Sequence, residues 1–203
     1  SLSIGFLVVI IAVLIGAPLG AIAGYYGGWL DDLIMRITDV FLAFPSLLLA
    51  MAIAGALGAS FTHAMIAIAL TWWPWYTRLV RAQTVSLRER HFIEAARSIG
   101  VRSPTIIARH VLPNVFTPVL VQGTMDLGSA ILTGAAISFI GLGVQAPTAE
   151  WGTMISTGRI YFIERPWLAG AAGGAIFLVT LAFNLLGDAL RDAADPRTRR
   201  TAG

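Results

Sequence analysis

Residues 4–24 carry no charged side chain and are almost wholly apolar. About 20 such residues suffice to cross the ~30 Å hydrocarbon core of a bilayer. In that core a backbone N–H or C=O finds no water, so the segment must satisfy its own hydrogen bonds, as a helix does. Within the run Ala12, Gly16, Gly20 and Gly24 recur at every fourth position and form one small-residue stripe. Such a stripe lets a second helix approach closely. Pro18 should bend the helix locally.

Residues 40–57, 64–80, 114–143 and 167–187 repeat the apolar pattern, so five spans are expected. The chain is 57% hydrophobic and 12% charged, with a mean hydropathy of +0.77; soluble domains carry roughly 25% charged residues. The expected fold is therefore an all-α polytopic membrane bundle, read as a single domain over residues 1–203. There is no cysteine, which excludes disulfides and thiolate chemistry. All 14 basic residues are arginine. Without lysine there is no Walker A lysine, so the chain is not a P-loop ATPase. A pI near 9.9 would suit nucleic acid, but the arginines gather in loops between apolar runs, where membrane topology accounts for them. No nucleic-acid partner is expected.

Residues 25–39 read as a turn and a short polar lead-in, with Arg36 pairing to Asp39 at i, i+3. Pro45 is expected to kink the second span. The third closes on Trp72-Trp73-Pro74-Trp75-Tyr76 followed by Arg78 and Arg81, the pattern of a membrane interface with snorkelling charges. In the fourth, Gln122, Asp126, Ser129 and Thr133 share one face, beside a small-residue stripe of Ala130, Gly134 and Ser138. An acid at such depth is costly and faces a bundle interior or a water-filled cavity. Those four residues are the candidate lining of a translocation path, with an interhelical hydrogen bond as the plainer reading. Residues 144–166 read as an amphipathic segment lying flat at the outer surface.

One polar, arginine-rich insert interrupts the apolar pattern, over residues 86–112. Ser86 and Glu89 have capping-box spacing for a first helix, and Gly100 supplies a left-handed stop. Ser103 and Pro104 suit the cap and first residue of a second helix, which Pro113 ends or bends into the next span. On the first helix Phe92, Ala95, Ala96 and Ile99 are expected on one face. Arg90, Glu94 and Arg97 take the other, able to pair as Arg90–Glu94 and Glu94–Arg97. Small and apolar knobs on a short helix suit a groove on a partner.

Arginine placement orients the chain. Arg78, Arg81, Arg88, Arg90, Arg97, Arg102, Arg109, Arg191, Arg197, Arg199 and Arg200 fall on one side with Arg36, and Arg159 and Arg165 on the other. By the positive-inside rule the insert and the C-terminus are cytoplasmic and Ser1 is outside.

Glu94-Ala95-Ala96, Gly100 and Leu112-Pro113 together resemble the EAA loop of binding-protein-dependent ABC importer permeases. Arg109-His110-Val111-Leu112-Pro113-Asn114 is similar to the dipeptide/oligopeptide/nickel branch. Gly27-Gly28-Trp29, Phe44-Pro45, Ser138-Phe139-Ile140-Gly141-Leu142-Gly143 and Asn184-Leu185-Leu186-Gly187-Asp188 extend the resemblance over nearly the whole chain. The chain departs from the pattern at Gly134, where related permeases often carry glutamate, and at Ala172-Gly173-Gly174, where proline often precedes the glycine. The resemblance implies one further helix upstream of Ser1 and a permease subunit in a prokaryotic plasma membrane. It also implies a second permease, two ATPase subunits holding ATP and Mg, and an extracytoplasmic solute-binding protein as partners, besides membrane lipid. The insert would be the coupling helix, with Phe92, Glu94, Ala95, Ala96, Ile99 and Gly100 carrying the contact. No cofactor or metal on this chain and no catalytic residue is implied.

Two other function classes compete. A secondary transporter or channel would use Asp126 as an ion or proton site, but leaves the organised insert without a purpose. A membrane enzyme would need a nucleophile, base and orienting acid, and no spacing around His63, His110 or the serines supplies them.

Overall fold

A computed structural model describes residues 1–194; the tail from Asp195, with Arg197, Arg199 and Arg200 of the arginine count, lies outside the described residues. All regular structure among the described residues is helical. The elements are α1 (Leu2–Tyr26), α2 (Gly28–Leu42), α3 (Ser46–Leu57), α4 (Phe61–Arg88), α5 (His91–Ser98) and α6 (Ser103–Ile106). A π-helical turn (Ile107–Val111), α7 (Leu112–Phe139), α8 (Trp151–Gly158), a 3-10 turn (Arg159–Tyr161) and α9 (Trp167–Ala194) complete the order.

Among the described residues three single helical stretches are long and apolar enough to cross a membrane: α1, the continuous Ser103–Phe139 and α9. The expected second span is broken at Pro45 into two helices, α2 and α3, which together are apolar and long enough for one broken span or a re-entrant pair. The chain bends by 85° between α2 and α3, and α3, at 12 residues, is about 18 Å long and too short to cross alone. The polar lead-in expected before it is helical, because Gly28–Leu42 alternates apolar and charged residues at helical spacing. The third expected span lies within α4, whose 28 residues give the length, about 42 Å, but whose arginines and threonines keep it short of the apolarity of the others.

Contacts divide the chain into two compact units. One holds residues 11–44 and 72–120. There α1 and α4 lie side by side through the predicted glycine stripe. A Cβ on Gly16 would stand 2.5 Å from the Trp73 carbonyl oxygen, and one on Gly24 would stand 2.8 Å from that of Arg81. Gly20 lies directly against the Thr77 carbonyl. Backbone meets backbone here, which a stripe of larger residues would prevent.

The other unit holds Ser1–Ile10, Pro45–Thr71 and the chain from Val121 onward. The small-residue stripe of α7 is buried in it, with Ala130 and Ser138 inaccessible. At Gly134 a Cβ would meet Ile4 Cγ2 at 2.9 Å, so this packing leaves no room for a side chain as large as glutamate there. The segment after α7 is docked on the rest of the unit. Gly152 of α8 rests on the Ala135 backbone and Gly158 on Leu168 and Ala169. Glu150, 2% exposed, caps α8 by accepting a hydrogen bond from Thr153 N at 3.1 Å and another from Ser1 Oγ at 2.8 Å. Glycine at those two contact points makes the close docking possible.

Candidate functional site

The insert stands at the end of α4, which runs on to Arg88, so Ser86 lies inside that helix and not at a cap. The break falls at Glu89-Arg90, and α5 begins at His91 with no side-chain cap. Its end is as expected. Gly100 has φ +81°, and Val101 N–H reaches the Ala96 carbonyl at 3.1 Å while Gly100 N–H reaches that of Arg97 at 2.9 Å. That pair of bonds is a Schellman motif, which satisfies the last carbonyls of the helix.

The faces of α5 differ from the expected assignment. Ile93 is fully buried and Ala96 is 7% exposed, whereas Phe92 is 45% and Ile99 81% exposed. Apolar residues lie on both sides of this short helix, and Ile93 with Ala96 make the i, i+3 pair that packs inward. Ala96 therefore belongs to the unit's own core, and the outward apolar set is Phe92, Ala95 and Ile99. The ion pairs also differ. Glu94 sits 3.5 Å from His91 Nδ1, and Arg97 donates from Nε to Tyr25 Oη at 3.1 Å while lying 4.7 Å over the same ring. Arg97 has turned from its helix neighbour to the end of α1.

Beyond Gly100, Arg102 rather than Ser103 is the cap, and Ser103 and Pro104 are the first two residues of α6. Pro113 does not end the helix. The π turn over Ile107–Val111 precedes it. A proline ring clashes with the carbonyl four residues back, and one wide turn lets the helix pass the residue without breaking. His110 lies in that turn, and its carbonyl accepts from Asn114 Nδ2 at 2.6 Å.

Three arginines of α4 brace the same unit. Arg81 donates from Nε and Nη2 to the two carboxylate oxygens of Asp31 at 2.5 and 2.6 Å. That bond raises the Arg81 pKa above its ordinary value, against the opposing effect of partial burial. Asp39 pairs with Arg78 at 2.6 Å, not with Arg36. Arg88 donates to the Gly24 carbonyl at 3.3 Å. These partners stand 39 to 64 residues apart, and no local spacing announces them.

The four candidate path residues do share one open face of α7. Gln122 Nε2 donates to Asp126 Oδ1 at 2.9 Å, and Thr133 Oγ1 to the Ser129 carbonyl at 2.8 Å. Gln122 and Ser129 are exposed, Asp126 and Thr133 half-buried. The face presents one carboxylate and three hydrogen-bonding groups along an otherwise apolar helix. Among the described residues no three His, Cys, Asp or Glu side chains gather as metal ligands.

Comparison with known proteins places this geometry. Residues 16–200 match the family model described as the binding-protein-dependent transport system inner membrane component. The chain is 50% identical over 199 residues to the dipeptide transport system permease protein of Alkalihalophilus pseudofirmus, covering 98% of this chain and 66% of that protein. It is 45% identical over 197 residues to the probable D,D-dipeptide transport system permease protein of Escherichia coli K12, covering 97% and 66%. A glutathione transport system permease protein of Pectobacterium atrosepticum is 44% identical over 199 residues, again covering 98% and 66%. The chain thus spans just under two thirds of the length of these relatives. Among solved structures, the methionine ABC transporter MetNI in inward-facing conformations has the same fold, with a TM-score of 0.75 at 17% identity, covering 96% of this chain and 93% of that one. An amino acid ABC transporter crystallised with histidines gives a TM-score of 0.66 at 19% identity, covering 98% and 89%. The chain belongs to the family of binding-protein-dependent transport system inner membrane components.

Proposed function

We propose that this chain is the membrane-embedded part of a permease subunit in an ATP-driven importer of small peptides or related solutes. The observation that carries the proposal is the outward apolar face of α5. Phe92, Ala95 and Ile99 are exposed on a helix whose other face, Ile93 and Ala96, is buried, and whose end is tied to α1 by Arg97 and Tyr25. A presented face on a braced helix suits a groove on an ATPase subunit and can pass that subunit's movement into α1 and α4. The open Gln122/Asp126/Ser129/Thr133 face of α7 would contribute to the solute path, as a carboxylate in a long apolar helix favours a watery surround over lipid. ATP and Mg would be held by the two ATPase subunits, a second permease would complete the path, and an extracytoplasmic binding protein would deliver the solute. Small peptides are the favoured solute class because the relatives are named for dipeptide, D,D-dipeptide and glutathione transport. The insert and the C-terminus would lie in the cytoplasm of a five-span arrangement.

The test is uptake by the purified assembly in vesicles, with its binding protein outside and nucleotide inside. Solute entry that requires both ATP and the binding protein supports the reading. Entry driven by an ion gradient without ATP would overturn it in favour of a secondary transporter.

A further inference from the structure

Helix α2 starts where α1 reaches a membrane boundary. The 25 residues of α1 extend about 37 Å, more than the ~30 Å hydrocarbon core. It ends on Tyr25 and Tyr26, followed by Trp29, 75% exposed; aromatic residues of this kind concentrate at the interface. Between them Gly27 and Gly28 have φ +66° and +58°, a backbone available to glycine that turns the chain abruptly.

The register of α2 on α4 gives its direction. From Gly16 to Gly24 the facing residues on α4 move from Trp73 and Thr77 to Arg81 and Thr84, so α1 and α4 run side by side in the same direction. Asp31 and Asp39 lie about 12 Å apart along α2, but their partners Arg81 and Arg78 lie only about 4.5 Å apart along α4, in reverse order. A helix returning upright beside α4 would advance equally on both. This one does not advance with α4, which fits a helix laid across it.

The surface of α2 divides to match. Ile34 and Thr38 are buried and Asp31 is nearly so, forming the sector against the protein. Asp32, Arg36 and Asp39 form an exposed charged sector. Trp29, Leu33, Ile37 and Val40 form an exposed apolar one, at 75%, 47%, 46% and 61%. Protein, water and lipid each have a side. We infer that α2 lies along the membrane surface, on the same side as the insert, with Trp29, Leu33, Ile37 and Val40 set into the acyl boundary and Asp32 and Arg36 in water. An amphipathic helix of this pattern lies in the interface plane. The inference rests on the chain's place in a membrane family and is independent of what α5 contacts.

These 203 residues hold no cysteine, so single spin-labelled cysteines can be placed in them in the full-length protein, with any cysteine outside this stretch or in the partner subunits replaced by serine, and the assembly reconstituted in phospholipid vesicles. Leu33→Cys and Val40→Cys report the apolar sector, Asp32→Cys and Arg36→Cys the charged one, by relaxation from oxygen and from a water-soluble nickel chelate. If α2 lies flat, the labels at 33 and 40 sit at one shallow depth, equal to within about one helical turn, 5 Å. Those at 32 and 36 then meet the chelate freely. An upright α2 would separate 33 and 40 by about 10 Å of depth and overturn the inference. Labels at 33 and 40 shielded from both reagents would overturn it too, because a protein partner would then cover the stripe. Chelate excluded from 32 and 36 would do the same.

Discussion

Arg97 holds Tyr25 in two ways at once, donating a hydrogen bond to its hydroxyl at 3.1 Å and stacking on its ring at 4.7 Å. The contact joins α5 to the last turn of α1, and Tyr25 is 6% exposed. Tyr25→Phe keeps the stacking and removes the hydrogen bond, a loss of about 1 kcal/mol. Arg97→Ala removes both. Amide exchange along α5 should quicken about fivefold in the first variant and further in the second. Unchanged exchange in Arg97→Ala would mean that burial of Ile93 and Ala96 alone holds the helix.

Backbone contact between α1 and α4 makes a sharper test. At Gly20 an added Cβ would meet the Thr77 carbonyl directly and stand 2.9 Å from Val80 Cβ. Gly20→Ala should destabilise the protein by about 1–3 kcal/mol, because neither backbone can yield without moving a helix. Gly173 in α9 has nothing within 4 Å of its Cβ position, so Gly173→Ala should be neutral or stabilise by up to about 1 kcal/mol through backbone entropy. Thermal unfolding of the detergent-solubilised variants, compared as a pair, checks this. Equal melting temperatures would contradict the packing.

Thr84 is inaccessible, and its hydroxyl has no hydrogen-bond partner, while its side chain packs on Gly24. A buried, unsatisfied hydroxyl costs about 1–3 kcal/mol. Thr84→Val keeps the shape and removes the polar atom, so the melting temperature should rise. A fall would show that the hydroxyl has a role beyond packing.

What could be read in advance was what is local. Gly100 stops α5 because a left-handed residue is needed at that position whatever surrounds it, and the stripe from Ala12 to Gly24 declares close packing by spacing alone. The direction of α5 was not legible, since Ile93 and Phe92 are equally apolar and only the rest of the unit decides which turns inward. Asp31 and Asp39 reach arginines on a different helix, and the nearer partner, Arg36, misled. Pro113 left two readings open, an end or a bend into the next span, because a π turn leaves no signature in composition. The open face of α7 was legible, as Gln122, Asp126, Ser129 and Thr133 stand out against apolar neighbours at helical spacing.

The buried position of Ala96 changes how the proposed coupling surface should be probed. Trp at Ala96 would have to enter the unit's own core, so overpacking would disturb the insert whether or not a partner docks there. Ala95 is on the outward face with Phe92 and Ile99, and Ala95→Trp leaves Ile93 and Ala96 in place. If an ATPase groove receives this face, Ala95→Trp should lower ATPase retention or solute-stimulated hydrolysis, and uptake with it, by tenfold or more, the effect of about 1.4 kcal/mol or more of steric conflict. The melting temperature should stay within a few degrees of the unsubstituted protein. Ala96→Trp should lower the melting temperature as well as uptake. Retention, hydrolysis and uptake are measured side by side on the purified assembly. If Ala95→Trp left all three unchanged, the outward face of α5 would not be the docking surface, and the contact would have to be sought elsewhere on the insert.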